Sequence, residues 1–80
     1  MLAVKDIKNS QRFWGLDPKT NKVWDFKAWQ NPFEKDGKLH IECTDAGDNI
    51  YVFDEDDAYM LYATEQEAED EAKNQAGQVS

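Results

Sequence analysis

Apolar residues recur in short alternating runs for the first sixty positions, and then the rhythm changes. Gln11–Leu16 (QRFWGL) and Lys22–Trp29 (KVWDFKAW) are rich in the aromatic and β-branched residues that favour strands. Between them, Asp17-Pro18-Lys19-Thr20-Asn21 reads as a turn, with Pro18 suited to its second position and Asn21 tolerant of positive φ. This predicts a β-hairpin. Alternation in its second strand sets Trp24, Phe26 and Ala28 on one face, and Val23, Asp25, Lys27 and Trp29 on the other. Asn31-Pro32 breaks the run, and Glu34-Lys35-Asp36-Gly37 reads as a turn. Lys38–Thr44 (KLHIECT) alternates cleanly, with Leu39, Ile41 and Cys43 inward and His40, Glu42 and Thr44 outward. Ala46–Asn49 is the next turn and Ile50–Phe53 a short strand, which predicts a second hairpin with Ile50 and Val52 in the core.

After Asp54-Glu55-Asp56-Asp57, Ala58–Ala63 (AYMLYA) reads as another strand. Thr64-Glu65-Gln66-Glu67 is a capping box, so a helix is expected from Glu65 to Gln75 or Ala76, with Gly77 as its stop and 77–80 frayed. Its apolar stripe is only Ala68, Ala72 and Ala76, so it must lie close to the sheet, with aromatic rings filling the gap. The expected fold is α+β: one domain over residues 1–80, an antiparallel sheet of four to five short strands and one C-terminal helix packed on it. Phe13 or Trp14, Leu16, Trp24, Phe26, Leu39, Ile41, Cys43, Ile50, Val52, Leu61, Ala68 and Ala72 are the candidate core.

Composition sharpens this. Hydrophobic content of 40% and aromatic content of 12% demand a folded core, while 32% charge and a mean hydropathy of −0.89 keep it thin. One cysteine excludes an internal disulfide and fits a reducing compartment. No apolar run has signal-peptide or membrane-span length, so a cytoplasmic protein is expected, in the host cytoplasm if the source is a phage.

Charge divides the chain. Residues 1–44 carry eight Lys/Arg against six Asp/Glu, and residues 45–80 carry one lysine against eleven acids, for a total of −8. Such a field repels nucleic acid and anionic membrane and attracts basic protein surfaces. Direct nucleic-acid binding would have to use Phe13, Trp14, Trp24, Phe26 and Trp29 interleaved with Arg12, Lys22 and Lys27, against that net charge. Asp54, Asp56 and Glu65 match EF-hand positions 1, 3 and 12, but Ala58 and Tyr59 stand where a ligand and the essential glycine belong, so no metal site is expected. His40 and Cys43 project to opposite faces of one strand, and no carboxylate has an apolar setting that would raise its pKa. No catalysis and no cofactor is expected.

The candidate binding residues are therefore acids: Asp54, Glu55, Asp56 and Asp57 in one short connection, and Glu67, Asp70 and Glu71 on the helix. Glu67 and Glu71 are like charges one turn apart, a cost of a few tenths of a kcal/mol. Glu69 and Lys73 are spaced to pair. Five acids lie within Glu65–Glu71, which spans about 9 Å of helix and matches the linear charge density of B-DNA. Trp14, Trp29, Phe33 and Tyr51 form a second candidate set, as the aromatics least committed to the core.

Several short strands followed by Tyr62-Ala63-Thr64-Glu65-Gln66-Glu67-Ala68 at the start of an acidic C-terminal helix resemble the layout of small phage-encoded inhibitors. These include host RNA polymerase inhibitors and some anti-CRISPR proteins. The resemblance implies an inhibitor that blocks a basic, nucleic-acid-handling machine by occupying or imitating its substrate surface. The competing expectation is a structural or assembly subunit, such as a homodimer, associating through an aromatic sheet face or an edge strand.

Overall fold

The computed structural model describes residues 2–78. It contains one antiparallel sheet of six strands: β1 (Arg12–Leu16), β2 (Val23–Ala28), β3 (Phe33–Lys35), β4 (Lys38–Asp45), β5 (Ile50–Asp54) and β6 (Leu61–Tyr62). One helix, α1 (Glu65–Gln78), packs on it, which completes the expected α+β layout. The order across the sheet is β5-β4-β2-β1-β6, and β3 extends β4 on the same side as β2.

The first hairpin forms where the sequence places it. The Asp17 carboxylate accepts from the Lys19 N–H at 2.8 Å, and Asn21 closes the loop at φ 59°. That bond from Lys19 is the main force holding the Asp17 carboxyl below its usual pKa. The segment read as a turn at Glu34–Gly37 is instead half strand. Asp36 and Gly37 both have positive φ, so a two-residue type I′ turn suffices and frees Glu34 and Lys35 to pair with β4.

Two apolar clusters hold the sheet. On one face, Phe13, Phe26, Ala28, Ile41, Cys43 and Leu61 meet Leu2, Val4 and Ile7 from the N-terminus. The N-terminal contribution escaped the sequence reading because Leu2, Val4 and Ile7 follow neither strand nor helix periodicity; they are carried by a single 3₁₀ turn, Val4–Asp6. Gly15 matters here, since a Cβ at that position would sit 2.8 Å from Phe26 Cε2. Only glycine lets the Phe26 ring lie flat over β1. On the other face, Leu16, Tyr62 and Ala68 are buried, with Trp14, Val23 and Ala72 around them. The rings of Trp14 and Tyr62 fill the space that the alanine stripe leaves.

Three further expectations are corrected. Residues 58–60 belong to a 3₁₀ segment, Glu55–Met60, leaving a strand only at Leu61–Tyr62. The cause is local: Asp54 caps the segment by accepting from the Asp56 N–H, and the Asp57 carboxylate returns a bond to the Asp54 N–H. The helix runs past Gly77 to Gln78, so Gly77 is not its stop; the fraying expected at its end concerns 79–80, outside the described residues.

Ile50 and Val52 are not core residues: they are 60% and 52% exposed. The loop after β4 is one residue shorter than its composition suggests. Asp45 pairs with Asn49, donating its N–H to the Asn49 carbonyl, while Asp48 takes φ 62°. The register then sets Tyr51 opposite Cys43 and Phe53 opposite Ile41. Directly opposed residues share a face, so a shift of one residue turns Ile50 and Val52 outward.

Candidate functional site

The seven acids proposed for binding fall into two groups on different parts of the fold. Asp54–Asp57 sit where β5 leaves the outer edge of the sheet for the 3₁₀ segment, whose far end, Met60, joins the first apolar cluster. Glu67, Asp70 and Glu71 ride on α1, which covers the opposite face over β1, β2 and β6.

Most of the first group has structural work. Asp54 and Asp57 form the reciprocal cap, and Asp56 pairs with Lys38, whose ammonium is held above its usual pKa chiefly by that bond. Glu55 alone is exposed with no hydrogen-bond or ion-pair partner among the described residues. On α1, Glu67 and Asp70 are exposed and Glu71 is half-buried. Asp70 accepts from the Gln66 amide at 2.9 Å, and Glu71 from the Gln75 amide at 3.4 Å. Thr64 Oγ1 accepts from the Glu67 N–H at 3.2 Å, one half of the expected capping box; the return bond from the Glu67 carboxylate is not made among the described residues. The pairing expected between Glu69 and Lys73 is also not made. Among the described residues there are two ion pairs, Arg12–Asp25 and Lys38–Asp56, in a chain with seventeen acids.

The aromatic candidates scatter. Trp14 is half-buried beneath α1 with its indole N–H unpartnered, and Arg12 lies over its ring at 5.5 Å. Trp29 is 54% exposed, and Phe33 stacks on His40 at 5.6 Å. Tyr51 lies on the first-cluster face, edge-on to Phe26 at 5.5 Å, and burial raises its phenol pKa, with Asp45 adding to the effect. Of the residues considered for nucleic-acid stacking, Phe13 and Phe26 are buried, and Lys22 is engaged over Trp24 at 5.0 Å.

The residues of strongest intrinsic reactivity are separated. Cys43 is buried, its thiol pushed up to about 12 by desolvation and then by Asp45 and Glu42, so it is protonated at neutral pH. His40 faces the other way, its Nδ1 3.0 Å from the Lys38 carbonyl. No group of three or more His, Cys, Asp or Glu among the described residues could hold a metal ion.

Two surfaces were not legible in the sequence. One is the free edge of β5, with Ile50 and Val52 exposed; the three-residue length of the loop after Asp45 was the signal that could have revealed it. The other is an open groove of about 470 Å³, walled by Pro18, Trp24, Tyr51, Phe53, Tyr59 and Met60. It depends on the 3₁₀ path of residues 55–60, which no periodicity announced.

No family model, curated protein or solved structure matches this chain. No helix among the described residues is long and apolar enough to cross a membrane.

Proposed function

We propose that this protein is a small non-catalytic inhibitor or adaptor that binds a basic protein surface, one that ordinarily handles nucleic acid. The observation that carries the reading is charge left over after folding. Seventeen acids meet nine cations, two ion pairs form among the described residues, and Glu55, Glu67 and Asp70 remain exposed with no cation beside them. Charge kept so far from neutrality costs self-repulsion, and complementarity to a basic partner gives that cost a use: faster encounter and partner choice. The acidic first turns of α1 resemble nucleic acid in linear charge density, which favours a partner whose surface normally holds a polyanion. The phage-inhibitor layout points the same way.

The alternative, self-association through an apolar edge, draws support from the exposed Ile50 and Val52. Salt separates the two, because contacts made by exposed charges are screened beyond about 8 Å at physiological ionic strength and apolar association is not. The test is affinity capture from a lysate of the source cells, with mass spectrometry, in rising salt. The reading expects a basic, nucleic-acid-handling protein released by salt and not retained by a Glu55→Lys, Glu67→Lys, Asp70→Lys variant. Retention of the same protein by that variant, unaffected by salt, removes the reading.

A further inference from the structure

β5 is an outer strand: β4 pairs with it on one side, and no strand among the described residues pairs on the other. The Asp45 N–H bond to the Asn49 carbonyl, at 3.1 Å, fixes the phase of the ladder. In an antiparallel ladder, opposed pairs alternate between exchanging both backbone bonds and exchanging none. Counting from Asp45 and Asn49, the bonded pairs are Cys43 with Tyr51 and Ile41 with Phe53. Ile50 and Val52 therefore aim their N–H and C=O groups outward, away from β4. The Glu42 carbonyl, opposite Val52, confirms the phase by turning the other way and accepting from the Trp29 N–H at 3.4 Å.

Two independent features thus coincide on Ile50 and Val52. Their backbone groups point off the sheet, and their side chains are exposed on the face that α1 leaves uncovered. Edge strands are ordinarily blunted by lysine, proline or a bulge, and Ile50-Tyr51-Val52-Phe53 has none of these. The next outward N–H, that of Asp54, is already closed by the Asp57 carboxylate at 3.1 Å. The receptive stretch ends there, against the acids of residues 54–57.

We propose that the free edge of β5 receives an extended segment of another protein, apolar at alternate positions, with lysine or arginine at the end lying beside Asp54–Asp57. This rests on the reading that the partner is basic, and it names how the partner is held: main-chain bonds supply affinity, and the alternation and end charge supply selectivity. Charge selects this occupant over a second copy of the chain, which would bring another −8 toward the same acids.

The probe is a short peptide of alternating valine and threonine ending in a lysine pair, compared with the same peptide ending in a glutamate pair. Amide hydrogen exchange of the full chain is the readout. The lysine peptide is expected to slow exchange at Ile50 and Val52 by on the order of tenfold or more, while Tyr51 and Phe53, already bonded to β4, change little. The glutamate peptide should leave all four unchanged. Val52→Pro, which removes an outward N–H and no ladder bond, should abolish the effect. Ile50→Thr with Val52→Thr, which leaves the backbone intact, should weaken it and covers the case in which the proline disturbs the strand.

Protection at Glu67 and Asp70 without any at Ile50 and Val52 overturns the edge proposal and leaves the acidic-surface reading standing. Equal protection by both peptides removes the charge matching, and that reading with it. Protection that rises with protein concentration in the absence of peptide gives the edge to a second copy and overturns the proposal, as does no protection by the lysine peptide.

Discussion

The β1–β2–β6 half of the sheet is covered on both faces, whereas the β4–β5 half is covered on one. Around β1 and β2, α1 closes one side with Leu16, Tyr62 and Ala68, and the N-terminal segment helps close the other with Val4 and Ile7. At β5, Tyr51 and Phe53 join the aromatic cluster around Phe26, while Ile50 and Val52 meet solvent. The contrast separates residues that hold the fold from residues free to make contacts outside it. Burial, not hydrophobicity, decides which is which: Ile41 and Ile50 are the same residue type on adjacent strands with opposite fates.

The comparison breaks most easily in the covered half. Phe26→Ala removes a buried ring that meets Phe13, Phe53 and Tyr51, and should cost about 3–5 kcal/mol, enough to unfold much of a small domain. Val52→Ala, on the open face, should stay within about 0.5 kcal/mol. Chemical denaturation of the two variants side by side checks the contrast, and equal losses would erase it. Gly15→Ala is expected to cost about 1–3 kcal/mol, because the new methyl meets Phe26 Cε2, part of a packed ring that cannot swing away. A thermal melt matching the parent would show that the ring has room to yield.

Capping comes next in size. Thr64→Ala removes the acceptor at the start of α1, and Asp54→Ala removes the one that holds the 3₁₀ segment. Each should cost about 0.5–2 kcal/mol. They differ in reach: loss of the Asp54 cap should also raise hydrogen exchange through residues 55–60, whereas loss of the Thr64 cap should act on the first turn of α1.

The smallest effect is a pH dependence at the β4–β5 loop. The Asn49 N–H, followed by the Asn49 amide and the Gly47 N–H, holds the Asp45 carboxyl below its ordinary value of 3.8. A depressed folded pKa contributes stability above the unfolded value and loses it as pH falls through the folded one. Asp45→Ala should therefore be the less stable protein at neutral pH, with the gap closing as pH drops below 3.8. Parallel acid titrations of the two proteins give the answer; a gap that persists at the lowest pH would assign Asp45 an uncharged role.

Much of the sheet was legible because strand alternation and turn chemistry are local signals. Pro18 and Asn21 announced the first hairpin, and Leu39, Ile41 and Cys43 announced the inward face of β4. Signals that depend on counting across a turn were not legible. Asp48 absorbs one position in the left-handed region, and that single residue moved Tyr51 and Phe53 inward in place of Ile50 and Val52. The acids suffered a similar ambiguity. Asp54-Glu55-Asp56-Asp57 reads as a charged run, yet Asp54 and Asp57 cap each other's turn and Asp56 pairs with Lys38, which leaves Glu55 as its uncommitted member. A run of like charges in sequence does not reveal which members the backbone will recruit.

The account stands on the uncommitted acids acting in recognition and not in folding. Its most direct test is the affinity of the captured basic partner for the parent chain and for the Glu55→Lys, Glu67→Lys, Asp70→Lys variant, with circular dichroism confirming that both are folded. The account predicts a folded variant whose affinity at low salt falls by on the order of tenfold or more, with the difference shrinking as salt rises. A folded variant that binds as tightly as the parent at every salt concentration would contradict it.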